Sequence, residues 1–159
     1  MMLKTHFAFA ILLSLIFLNF FTVNYYFFIP LVCLGAFVVD IDTSRSNFGR
    51  KMRPLSWFIE ILFGHRGFFH SLVAAFIFLL LSIYLFRLSF LAFAPALGYL
   101  SHIFLDCFTL SGVPVLKPFS ESRFSGPVST GGVIEYIIFS AIVLIDFYLV
   151  YIRIGPILF

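Results

Sequence analysis

Long apolar runs separated by short polar intervals lay out this chain. Phe7–Phe21 is the first run, and Asn19, Thr22 and Asn24 mark its far end. Tyr25–Val39 is the second; Pro30 lies near its start, the aromatic cluster Tyr25-Tyr-Phe-Phe28 suits a membrane interface, and the run stops at Asp40-Ile-Asp42. Residues 43–55 are polar and basic, closing at Pro54. Leu55–Gly64 is too short to span a bilayer, and its Trp57 and Glu60 predict an amphipathic turn or helix lying at the surface. His65-Arg-Gly-Phe-Phe-His-Ser71 leads into a third run, Leu72–Phe86, which ends at Arg87. Ser89–Leu105 is the fourth, with Pro95 near its entry and Gly98 suited to close helix approach. A loop rich in Gly, Pro and Ser, 106–132, precedes the fifth run, Val133–Ile152, which opens with Glu135 and closes with Arg153. The pattern predicts an all-α polytopic membrane bundle: one integral-membrane domain over 1–159, about five transmembrane helices and a short interfacial helix.

Composition agrees. The chain is 62% hydrophobic and only 11% charged, against about 25% charged in an average soluble domain. A soluble core in so short a chain cannot hide that much apolar surface. No basic stripe with interleaved polar residues exists, so nucleic acid is not an expected partner; membrane lipid is. Cys33 and Cys107 share no CxxC spacing, which points to packing roles. The first run lacks a small-x-small cleavage site and reads as a membrane helix rather than a cleaved signal.

The charges orient the spans. Lys4, Arg45, Arg50, Lys51, Arg53, Arg66, Lys117 and Arg123 fall on one side, Arg87 and Arg153 on the other. The positive-inside rule puts the first side, with the N-terminus, in the cytoplasm, and the membrane is then the inner, or cytoplasmic, one. All four histidines and every acid except Asp146 fall on that side too. From Arg87 to His102, and from Tyr25 to Asp40, is about 22 Å of helix, against about 30 Å of hydrocarbon. His102 and Asp40 are therefore expected several ångströms below the inner surface, within reach of a lipid head group.

Within the fourth run, His102 and Asp106 lie four residues apart and share a helix face. Such a pair is costly in hydrocarbon and reads as functional by default. His6, Asp40, Asp42, His65, His70 and Glu135 are expected at the same end, giving eight candidate ligands. A single zinc uses three or four, so the set suits two or more divalent ions; four imidazoles and four carboxylates carry the charge that two such ions cancel. Nitrogen and oxygen donors without thiolate favour Zn or Mn. Two metals could activate a water and stabilise a leaving oxygen, and Arg66 would meet a phosphate. Plainer roles compete: His6 as a helix-end residue, Asp40 and Asp42 as helix terminators, Arg66 as an ordinary cytoplasmic cation, and Glu135 as a favourable charge at a helix N-terminus.

The ordered set Thr5-His6, Asp40-Ile-Asp42, His65-Arg-Gly-x-x-His70-Ser71 and Gly98-Tyr-x-x-His102-x-x-x-Asp106-x-x-Thr109-x-x-Gly112, followed by Pro118, resembles the YdjM-like family of membrane-bound proteins. The His-x-x-x-Asp element is also similar to one in zinc-dependent phospholipase C and S1/P1-type nucleases. The resemblance implies a metal-dependent hydrolase acting on a phosphoester or phospholipid, with His102, Asp106 and Arg66 at the reacting centre. It departs from the pattern at Val39 and Phe69, where the family often has Pro and Thr, and it lacks the C-terminal His-x-x-x-Glu of the soluble phospholipases. A metal-ion transporter or sensor is the competing reading. The far half of the membrane, however, holds little beyond Asn19, Asn24 and Asp146 to line a path.

Overall fold

The computed structural model describes residues 1–18, 20, 23–42, 67–87 and 89–158. These residues form five α-helices: α1 (Leu3–Phe17), α2 (Tyr25–Val38), α3 (Leu72–Leu85), α4 (Phe93–Cys107) and α5 (Val133–Leu158). Short 3₁₀ turns at Val39–Asp42, Phe68–His70 and Phe90–Ala92 extend or introduce α2, α3 and α4. Among the described residues there is no β-strand, only isolated bridges pairing Thr109 with Val128 and Val113 with Phe124. The expected surface helix at 55–64 lies outside the described residues.

Local chemistry sets the helix starts. The Asn24 side chain accepts from Tyr26 N at 2.9 Å to open α2, and Ser71 Oγ accepts from Ala74 N at 3.2 Å to open α3. Pro95 sits in the first turn of α4, where its missing N–H costs nothing. Several boundaries differ from expectation, among them the end of α1 at Phe17 and the limits of α4. Helix α1 starts at Leu3, not Phe7, because Thr5 and His6 are buried inside the bundle rather than left in water. Helix α5 runs past Arg153, whose guanidinium folds back onto the Leu15 carbonyl at the end of α1.

Of the five helices, only α5 and the unit formed by the Phe90–Ala92 turn with α4 are long and apolar enough to cross a membrane alone. Helices α1, α2 and α3 are apolar but 14 or 15 residues long. Five complete spans therefore do not follow from helix length.

Helix α4 is the centre of the bundle, packed against α1, α2 and α3. Its contact with α2 is backbone on backbone. A Cβ on Gly98 would sit 1.8 Å from the Val32 carbonyl oxygen, and one on Gly35 would sit 1.9 Å from that of Pro95. The two helices run parallel in register: Gly98 lies on Val32, and one turn later His102 lies on Ala36. Helices α1 and α5 are parallel as well, joined at Thr5–Glu135 near their starts and at Leu15–Arg153 near their ends. Residues 108–132 fold back under α4. Val113 and Phe124 exchange both backbone hydrogen bonds at 3.0 Å, and Leu72 N donates to Val115 O at 2.9 Å, tying this loop to the start of α3. Gly112, at φ +58°, makes the turn that brings Val113 to full burial.

Candidate metal centre

The parallel register of α2 and α4 builds the site. Because Gly98 lets the backbones touch, His102 one turn on reaches the Ala36 carbonyl with Nδ1 at 2.7 Å. A backbone carbonyl can only accept, so Nδ1 carries the proton and Nε2 keeps the lone pair. That nitrogen faces two carboxylates: Asp106 Oδ2 at 3.6 Å, one turn further along α4, and Asp40 Oδ1 at 3.6 Å, on the turn that ends α2.

Two more histidines close on the same point. His6, in the first turns of α1, stacks on the His102 ring with centroids 3.7 Å apart and places Nε2 3.3 Å from Asp106 Oδ1. His70, on the turn before α3, meets the His102 ring edge-on and places Nε2 3.7 Å from Asp106 Oδ2. The Met1 amino nitrogen also lies against Asp106 Oδ1. His6, His70, His102 and Asp106 are buried, and the Asp40 side chain is 21% exposed. Thr109 steadies the end of α4, its hydroxyl donating to the Asp106 carbonyl at 2.8 Å.

These donors form two overlapping groups, His6–His102–Asp106 and Asp40–His70–His102, with the ligand atoms of each lying within 4.8 Å of one another. Both ring nitrogens of His6 and Nε2 of His102 are buried without a hydrogen bond, a state that costs about 1–3 kcal/mol per group. Their separations from the carboxylates, 3.3–3.7 Å, exceed a good hydrogen bond. They match the edge of a coordination tetrahedron, about 3.3 Å for donors 2.0–2.1 Å from a zinc ion. The residues present therefore fit a divalent cation.

Of the remaining expected ligands, only Glu135 has a described side chain, and it falls elsewhere. Glu135 is fully buried, but it is not in either group. Its carboxylate accepts from Met2 N at 2.5 Å, Thr5 Oγ1 at 2.9 Å and Gly131 N at 2.7 Å, clamping the start of α1 to the start of α5. The side chains of Asp42, His65 and Arg66 lie outside the described residues. Sequence reasoning gave no role to Thr5, to the Ala36 carbonyl or to Tyr99, whose hydroxyl donates to the Phe69 carbonyl at 2.5 Å. The sequence signal for Tyr99 is its place beside Gly98 in the Gly98-Tyr-x-x-His102 pattern, which names the residue without giving it a task.

No solved structure matches the chain. Among curated relatives, the inner membrane protein YdjM of Escherichia coli K12 is 38% identical over 112 residues, covering 66% of this chain and 56% of that protein. YdjM of Shigella flexneri aligns equally well. The Bacillus subtilis protein YvsG, named as uncharacterized, is 33% identical over 135 residues, covering 80% of this chain and 83% of its own length. The chain thus spans about half the length of the YdjM proteins it matches. A family model described as YdjM inner membrane protein matches residues 1–158, and on that match the chain belongs to the YdjM inner membrane protein family.

Proposed function

We propose that this protein is a metal-dependent hydrolase of the inner membrane that cleaves a phosphoester, with phospholipids among its candidate substrates, at a site opening toward the cytoplasm. The observation that carries the proposal is the convergence of three imidazoles and two carboxylates on one buried point, with His6 and His102 nitrogens there that make no hydrogen bond. Asp40, His70, His102 and Asp106 would hold a first ion, and Zn or Mn suits their donors. Because His102 offers one free nitrogen, a second ion would draw on His6 and the other oxygen of Asp106, together with Asp42 and His65. Such ions supply Lewis acidity and a water acidic enough to attack near neutral pH.

The chain's own residues divide the remaining work. Asp40, the least buried of the donors, would be the first to meet water and substrate. Asp106 lies between the donors with an oxygen toward each side, so a single carboxylate keeps His6 and His70 in fixed relation. Arg66 would grip the substrate phosphate. The choice of a phosphoester rests on the resemblance of the His102-x-x-x-Asp106 element to one in zinc phospholipases and nucleases.

All five helices are assigned to the membrane, the shorter three by analogy of surface. The outer face of α3 carries Phe76, Ile77, Leu80, Leu81 and Tyr84, each at least half exposed, as a lipid-facing helix would. The positive-inside rule, applied to the eight basic residues that the sequence puts on one side, supports a cytoplasmic site.

The test is elemental analysis of the purified full chain, with assays of phospholipid and generic phosphodiester cleavage beside His102→Ala and Asp106→Ala. Stoichiometric metal and cleavage lost in both variants are expected. Absence of metal, or undiminished cleavage in both variants, would overturn the proposal. Metal uptake into proteoliposomes without cleavage would favour a transporter.

A further inference from the structure

We infer that Tyr99 is a positioning residue that sets the affinity of one half of the metal centre and not the other. The inference rests on the metal-binding reading above.

Tyr99 lies three residues before His102 on the same face of α4 and is almost completely buried. Its ring packs 4.8 Å from that of Phe78 on α3, within the apolar cluster of Val39, Ala74, Ala75, Ile103 and Val113. A hydroxyl in such surroundings is costly to bury without a partner. Its partner is the carbonyl oxygen of Phe69, at 2.5 Å. Phe69 is the residue immediately before His70, on a turn of only three residues.

Phe68 packs that turn against the apolar cluster, and Leu72 N just beyond it donates to Val115 O at 2.9 Å. The turn's own backbone bonds are local, His70 N to Gly67 O at 3.1 Å and Ser71 N to Phe68 O at 3.0 Å. The Tyr99 bond fastens it to α4 thirty residues away. Helix α4 therefore supplies His102 and Asp106 directly and, through the Tyr99 hydroxyl on the Phe69 carbonyl, helps to set where His70 stands. His6 is located by different parts: its neighbour Thr5 donates to Glu135, and its ring rests on His102. Loss of the Tyr99 hydroxyl should free His70 and leave His6 in place.

The experiment is titration of the metal-free full chain in detergent with Co(II), read by its ligand-field absorption, in four backgrounds. Tyr99→Phe should weaken Co(II) binding about 10- to 100-fold, the usual cost of losing a group that orients a ligand. The same change added to His70→Ala should alter affinity by no more than about twofold, because there is no His70 left to position. Added to His6→Ala, it should keep its full effect. Phe78→Leu disturbs the packing of the Tyr99 ring while keeping the hydroxyl, and should leave affinity within about twofold of the unmodified chain. An equal loss from Tyr99→Phe with and without His70, an equal loss from Phe78→Leu, or no loss at all would overturn the inference alone. Failure of the unmodified chain to bind Co(II) would overturn the metal centre and this inference with it.

Discussion

His102 Nδ1 donates to the Ala36 carbonyl oxygen at 2.7 Å, and the bond exists because Gly98, one turn earlier, lies directly on the Val32 carbonyl. Close packing of two helix backbones and the choice of imidazole tautomer are here a single event. Gly98→Ala should therefore damage both. Its Cβ would meet backbone at 1.8 Å, and backbone cannot turn aside as a side chain can. The helices must part, at a cost near the upper end of overpacking, about 3 kcal/mol. Thermal or denaturant unfolding in detergent would measure it, and bound metal should fall together with stability. Gly35→Ala, against Pro95 at 1.9 Å, should behave alike.

With Nδ1 committed to Ala36, only Nε2 of His102 is available to a cation. His102→Ala should lower metal affinity by about 100-fold or more, exceeding the 10- to 100-fold typical of residues that merely support a ligand. The folded variant, checked by circular dichroism, should contain at most half the metal of the unmodified chain. Unchanged metal content would remove His102 from the ligand set.

Glu135 should behave as a clamp. Glu135→Ala strands the Met2 amide, the Thr5 hydroxyl and the Gly131 amide, at about 1–3 kcal/mol for each group that stays buried. Unfolding should show a loss of at least about 2 kcal/mol, while the folded variant keeps its metal. A variant that folds normally and loses metal would make Glu135 a ligand instead. Thr5→Val removes one hydroxyl and should cost about 1 kcal/mol.

Chelation should loosen the whole bundle, since the donors come from α1, α4 and the turns flanking α2 and α3. A ligand at one hundred times its Kd stabilises the folded state by about 2.7 kcal/mol. Stripping metal with a strong chelator should lower the unfolding temperature of the unmodified chain and restore it on addition of Zn. In His102→Ala the same treatment should change little.

Much of this arrangement was legible in the residues. The spacing of His102 and Asp106 gave a shared helix face. Gly98 announced a close crossing, and the distribution of the acids and histidines gathered the ligands at one end. Direction was not legible. Periodicity places Glu135 at the correct end of the bundle, but it cannot say whether a carboxylate there points at other ligands or at backbone amides. Helix length misled as well. The first helix read as starting at Phe7, because the burial of Thr5 and His6 against α5 and α4 is invisible from α1 alone. Tyr99 was hidden for a related reason: its partner is a carbonyl, and every residue has one.

The register between α2 and α4 also restricts how the chain can change in length. Each helical residue advances by about 100°, so one residue inserted between Gly98 and His102 would turn the imidazole away from Ala36 and the carboxylate away from its partners. A substitution there can be weak or strong, but an insertion or deletion is all-or-none. The nine residues from Gly98 to Asp106 act as a ruler, and variation in length is confined to segments that do not count turns between the crossing and the site.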